Sequence, residues 1–146
     1  MSRDQPTADP LAELADLILN VGRLIRAITP PEADAYPLTD TERTVMRLID
    51  LQPGSAPSEI ARRGRLQRSN VSAALRGLEQ KGLIRRTATD GRGVAVTATP
   101  AAAANLHSLR AAWSQELTGV LGDDLDAVRH CTRVLSRLER SLVDPL

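Results

Sequence analysis

The stretch "SEIARRGRLQRSNVSAALRGLEQKGLIRR", from Ser58 to Arg86, constrains the fold more than any other part of the chain. Two segments of helical periodicity run up to glycines, the first to Gly64 and the second to Gly82. The second can be laid on a helical wheel at about 100° per residue. Val71, Ala74, Leu75 and Leu78 then gather on one stripe. Ser69, Ala73, Arg76 and Gln80 fall opposite, with Ser72 and Asn70 on the flanks. A stripe of this width must be buried against other elements. The outward face is built of small and polar groups with one long cation. A short helix, a turn and a longer helix in this order predict a helix-turn-helix. The spacing predicts helices from Pro57 to about Gly64 and from Arg68 to Lys81. Gly64 is expected to end the first with a positive φ, and Gly82 to follow the second.

The flanking segments supply the rest of the architecture. Asp9-Pro10 reads as an N-cap followed by proline at the first helical position. Leu11, Leu14, Ile18, Val21, Ile25 and Ile28 then recur at spacings of three and four, a heptad-like seam. "TPPEADAYP" breaks that helix. Thr39-Asp40-Thr41-Glu42 is expected to form a capping box, with the Glu42 side chain reaching back to the cap. The following helix points Val45, Leu48, Ile49 and Met46 inward. Strands are predicted at Leu83–Thr89 and Val94–Ala98 around the turn "DGRG". Thr99-Pro100 opens a long Ala-rich helix to about Val120, and a last helix carries Leu125, Val128, Leu135, Leu138 and Leu142. The fold class is therefore mainly α with a small β hairpin: a winged helix-turn-helix unit flanked by terminal helices. The expected division is 1–37 (N-terminal dimerisation helix and linker), 38–98 (DNA-binding unit) and 99–146 (C-terminal dimerisation helices). With no Phe, one Trp and one Tyr, the core must be aliphatic. The terminal seams, with Leu11, Leu14, Ile18 and Val21 on one side and Leu135, Leu138 and Leu142 on the other, need a partner. In a chain this small a second copy of itself fits that need.

Charge gives the helix-turn-helix its expected partner. The chain carries a net +1. Between Arg62 and Arg92, however, nine basic residues face only Glu79 and Asp90, so this window holds +7 and the remainder −6. A basic segment in an otherwise acidic chain points to a polyanion. Duplex DNA fits, because a major groove about 12 Å wide admits a helix whose outer face is small and polar. Ser69, Asn70, Ser72, Ala73 and Arg76 are the expected base-edge or flanking-phosphate contacts. Arg62, Arg63, Arg65, Arg68, Arg85 and Arg86 are expected to neutralise phosphate. Arg92, at the hairpin tip, is expected at the minor groove, oriented by Asp90.

These segments together resemble the MarR family of winged-helix transcriptional regulators. The resemblance rests on "LTDTERTVMRLI", on the helix-turn-helix stretch quoted above, and on "DGRGVAVTATPAA". Ser69 meets the family's Ser or Thr early in the recognition helix. Leu78 to Ile84 meet its Leu-Glu-x-Lys-Gly-Leu-Ile run, and Asp90 and Arg92 its wing Asp-x-Arg. The family exit Leu-Thr-Pro-x-Gly is altered here to Ala98-Thr99-Pro100-Ala101-Ala102, and the wing is about two residues shorter. The resemblance implies a homodimer on a pseudo-palindromic operator, acting as a repressor and released by a small ligand, often an aromatic acid, or by an oxidant. Tyr36, Arg26, His107 and Trp113 are the groups it nominates for such an effector.

Other functions find no support in the sequence. There is no nucleophile elbow, phosphate-binding glycine loop or paired-histidine motif, so no enzyme is expected. His107, His130 and the single Cys131 do not form a metal set, and Cys131 reads as a buried, inert thiol on an apolar face of the last helix. No cofactor is expected. No apolar run approaches the roughly 20 residues of a membrane span, and the first residues lack a signal-peptide plan. A cytoplasmic location is the expectation. A winged-helix module that binds proteins rather than DNA is the alternative that the charge window disfavours.

Overall fold

A computed structural model describes residues 8–144. The ends of the predicted units 1–37 and 99–146 that fall on residues 1–7 and 145–146 lie outside the described residues, as does most of the segment read for a leader. Helix α1 spans Pro10–Ile28, and a single 3-10 turn at Pro31–Ala33 leads to α2, Asp40–Leu51. Helices α3, Pro57–Gly64, and α4, Arg68–Gln80, form the helix-turn-helix. Strands β1, Ile84–Ala88, and β2, Val94–Ala98, pair antiparallel with Ile84 opposite Ala98 and Ala88 opposite Val94. Helices α5, Pro100–Leu121, and α6, Leu125–Val143, complete the chain. Among the described residues no helix is long and apolar enough to cross a membrane.

The buried core lies almost wholly in the middle unit. Val45, Leu48 and Ile49 of α2 meet Ile60 and Ala61 of α3 and the whole predicted stripe of α4. Leu83, Ile84 and Val96 close the core from the hairpin. Among the described residues α5 adds only Ala102 to the buried set, while α1 and α6 add none. The core is aliphatic throughout.

Local chemistry sets the element ends. Asp9 accepts from the Leu11 N–H at 2.9 Å, and Thr39 from the Glu42 N–H at 3.1 Å. At the end of α4 the Gly82 N–H reaches Glu79 O and the Leu83 N–H reaches Leu78 O. This is a Schellman closure with Gly82 at φ +72°.

Two expectations are corrected. Gly64 remains helical, and Arg65 takes the left-handed conformation at φ 52°. The glycine is there for space: a Cβ on Gly64 would lie 2.8 Å from Leu48 Cδ1 and 3.0 Å from Leu66 Cδ1. The Glu42 carboxylate does not reach back to its cap but turns inward to Lys81, 2.6 Å away. The loop between α2 and α3 also adds a bridge to the hairpin. Ser55 pairs with Val96, whose N–H donates to Ser55 O while the Gly54 N–H donates to Val96 O, both at 3.0 Å.

Candidate nucleic-acid interface

The stripe of Val71, Ala74, Leu75 and Leu78 fixes which side of α4 faces outward. Ser69, Asn70, Ser72, Ala73 and Arg76 are all exposed on it. Gln67, the N-cap residue, makes no side-chain cap bond. The first N–H groups of α4 therefore face outward unpaired, with the partial positive charge of the helix start behind them. The far end is pinned twice. Lys81 is held by Glu42 and donates to Pro37 O at 3.2 Å. Thr99 Oγ1 donates to Gly82 O at 2.6 Å, joining the end of α4 to the start of α5.

The arginines divide into two groups. Arg62, Arg68, Arg76, Arg85 and Arg92 are exposed and form no ion pair among the described residues. The others are engaged. Arg63, expected on phosphate, is 6% exposed. Its Nε lies 3.2 Å from Asp144 Oδ1 and its Nη2 3.4 Å from Asp144 Oδ2, so it faces α6 and cannot meet a backbone phosphate in this arrangement. The signal was in the sequence, because Arg63 follows Ile60 by three residues and so shares its inward face. Arg65 donates to Leu142 O at 3.2 Å, and Arg86 is paired with Glu79 at 2.9 Å.

The wing tip runs from Thr89 to Gly93, closed by the Thr89 N–H donating to Gly93 O at 3.1 Å. Arg92 and Asp90 are both exposed there and form no ion pair with each other, so the expected orientation of Arg92 by Asp90 is absent. The Ser55–Val96 bridge, which the sequence reading missed, ties this wing to the helix-turn-helix. A lone Ser-Ala pair after glycine carries too little alternation to read as a strand.

The remaining candidates are dispersed. Trp113 Nε1 donates to Thr29 Oγ1 at 2.8 Å, joining α5 to the end of α1. Tyr36 lines a cavity of about 240 Å³ between the linker and α5. Arg26 lines a different cavity and pairs with Asp40 at 3.3 Å. His107 is exposed on α5. These four do not converge on one site. By contrast Leu11, Leu14, Ile18, Val21, Leu135, Leu138 and Leu142 are all between 36 and 76% exposed. Leu17, Leu19 and Leu24 are exposed with them, so α1 is apolar over more than its predicted seam. Cys131 is exposed, a correction to its reading as a buried thiol.

The sequence model of the MarR family matches residues 36–93, the linker end through the wing. A comparison with curated proteins finds no match. Among solved structures, a putative transcriptional regulator from Pseudomonas aeruginosa PA01 is 28% identical, with a TM-score of 0.69. That match covers 89% of this chain and 92% of the other. A MarR-family transcriptional regulator from Silicibacter pomeroyi is 22% identical at TM-score 0.59, covering 89% and 90%. NadR, solved in complex with 4-hydroxyphenylacetate, is 16% identical at TM-score 0.66, covering 95% and 98%. The family match over residues 36–93 and the likeness of fold over most of the chain show that this chain has the winged-helix fold of MarR-family transcription regulators.

Proposed function

We propose that the chain is a transcriptional regulator, a repressor, that binds a pseudo-palindromic duplex operator as a homodimer. One observation carries the reading: the exposed face of α4 presents Ser69, Asn70, Ser72, Ala73 and Arg76, with four further unpaired arginines, Arg62, Arg68, Arg85 and Arg92, beside it in the helix-turn-helix and wing. Small groups let the helix approach base edges, and Arg76 has the length and fork to reach guanine or phosphate. Arg62, Arg68 and Arg85 supply phosphate contacts, and Arg92 carries positive charge to the neighbouring minor groove. Arg63 is withdrawn from this set. The units 38–98 for DNA and 1–37 with 99–146 for dimerisation follow the same division: the core lies in the first, and the exposed apolar faces lie in the others.

A small aromatic effector is the further expectation of the family, and NadR is solved with one. In this chain Tyr36, Arg26, His107 and Trp113 do not form its site together.

Fluorescence anisotropy with labelled random duplex at rising salt tests the proposal. Affinity should fall log-linearly, with a slope of about −0.9 per phosphate neutralised. Selection from a random library should then return a site with two related halves. Absence of duplex binding at low salt would favour the protein-interaction module instead.

A further inference from the structure

Helix α2 has a second face that neither the core nor the candidate DNA interface uses. With Asp40 at 0° and about 100° per residue, Val45, Leu48 and Ile49 fall between about 80° and 180°, on the buried side. Arg43, Arg47 and Asp50 fall with Asp40 between about 280° and 360°, directly opposite. This outer row meets the rest of the chain. Arg26 of α1 lies 3.3 Å from Asp40. Asp34, just after the 3-10 turn, lies 4.0 Å from Arg43. Glu139 of α6 accepts two bonds from Arg47, of 2.8 and 2.7 Å. Arg110 of α5 lies 3.4 Å from Asp50, which also pairs with Arg47 at 3.4 Å. Four successive positions thus meet α1, the linker, α6 and α5 in turn.

The order of the charges matters. Along α2 the row reads minus, plus, plus, minus, and its partners read plus, minus, minus, plus. A slip of one position is about one helical turn, or about 5.4 Å. In one direction it sets Asp40 against Asp34 and Arg47 against Arg110. In the other it sets Arg43 against Arg26 and Asp50 against Glu139. Either slip leaves one attractive pair and two repulsive ones. Exposed ion pairs contribute little stability, but like charges brought together select against the wrong arrangement. Apolar contact cannot make that selection, because it has no direction of its own. It is also slight here. Of the terminal helices, only Ala101, Ala102 and Val143 pack on the core among the described residues. Arg63 and Arg65 fasten the end of α6 at Asp144 and Leu142 O, whereas the row runs nearly the whole length of α2.

We propose that Asp40, Arg43, Arg47 and Asp50 are positioning residues: they set the orientation of the middle unit on the terminal helices, and so the spacing of half-sites that a dimer accepts. The inference rests on the regulator reading and names what selects its operator spacing. In a two-fold dimer the recognition helices enter grooves about 34–36 Å apart. One added base pair moves a half-site about 3.4 Å along the duplex and about 35° around it. A unit held in one register discriminates such a step, and a unit free to slip or swing does not.

Anisotropy titrations of the full chain test the row. The duplexes carry the selected half-sites at their own spacing, at one base pair more and one fewer, or a single half-site. Wild type should prefer its own spacing by about tenfold. Arg47→Gln with Asp50→Asn removes one charge of each sign, so the net attraction to phosphate is kept. This variant should bring the preference below about threefold and leave single half-site affinity unchanged. Exchanging charges across the row, by Arg47→Asp and Asp50→Arg with Glu139→Arg and Arg110→Glu, should restore the preference. A preference retained in Arg47→Gln with Asp50→Asn would overturn the positioning role. So would an equal loss on single and paired half-sites, which is what a merely structural role gives. A preference still absent after the exchange, with single half-site affinity intact, would also overturn it, because charge matching would not be the cause. Absence of duplex binding, or of any spacing preference, in the wild type itself would instead overturn the reading of a dimer on a two-part operator, and this inference with it.

Discussion

Glu42 Oε2 lies 2.6 Å from Lys81 Nζ, joining the first turn of α2 to the residue that follows the recognition helix, 39 positions later. The Glu42 side chain is 9% exposed and that of Lys81 33%, so the carboxylate is the buried partner. Its other oxygen would lie 2.9 Å from a Cβ built on Gly77. The absence of a side chain at Gly77 therefore makes room for the carboxylate that pins the helix.

That geometry predicts a coupled pair of substitutions. Gly77→Ala alone should destabilise the protein, because the new methyl group presses on a carboxylate fixed by Lys81. In a Glu42→Ala background the same change should stabilise, since alanine is favoured over glycine in a helix by about 0.8–1 kcal/mol. A double-mutant cycle in urea should return a coupling of at least about 0.5 kcal/mol. Additive effects would show that the carboxylate does not fill this space.

On the proposed interface, Arg76 and Arg92 should fail differently. Arg76→Ala should weaken binding to a selected operator by roughly 1–3 kcal/mol and relax preference at one position in each half-site. Arg92→Ala should weaken selected and random duplexes alike. Unchanged preference for Arg76→Ala would remove it from base reading, and a loss confined to one base position would contradict the general role of Arg92.

The exposed seam of α1 predicts that self-association depends on its middle. Ile18 and Leu14 are each more than a third exposed in the single chain. Ile18→Asp should shift sedimentation from dimer to monomer at micromolar concentration and leave the middle unit folded. A dimer that persists in both Ile18→Asp and Leu14→Asp would move the interface elsewhere.

Acid should loosen α6 from α2. The hydrogen bonds from Arg47 hold the Glu139 carboxyl below its usual range; burial opposes them, and the Arg47 charge adds to them. A depressed folded value stabilises the fold above the unfolded one, about 4.3. That contribution is lost as pH falls through the folded value. Wild type should therefore exceed Glu139→Gln in urea stability at neutral pH, and the difference should shrink below about pH 4. A difference that stays constant down to about pH 2 would show that the pair contributes nothing through its charge.

Periodicity made the helices legible, and long-range pairing hid much of the rest. The stripe of α4 reads off the wheel because all four residues obey one local period. Glu42 was misread because a capping box is a local pattern, whereas its partner is 39 residues away. Gly64 was assigned a turn because glycine often permits positive φ; here Arg65 takes that conformation, and Gly64 serves the approach to Leu48. Arg63 was counted as surface charge although its spacing from Ile60 placed it inward. The candidate DNA face was legible as a face, but which arginines remain free on it depends on Asp144 and Glu79, and those pairings are set by tertiary structure.

The hydrogen bond from Trp113 to Thr29 has a spectroscopic consequence. The only indole of the chain sits where α5 meets the end of α1, while Tyr36 is the aromatic side chain packed against the aliphatic core of the middle unit. Tryptophan emission, excited selectively, should therefore register the parting of the arms and be nearly silent to melting of the helix-turn-helix, which far-ultraviolet ellipticity would follow. If the two signals change at different denaturant concentrations, arms and reading head come apart as separate cooperative units.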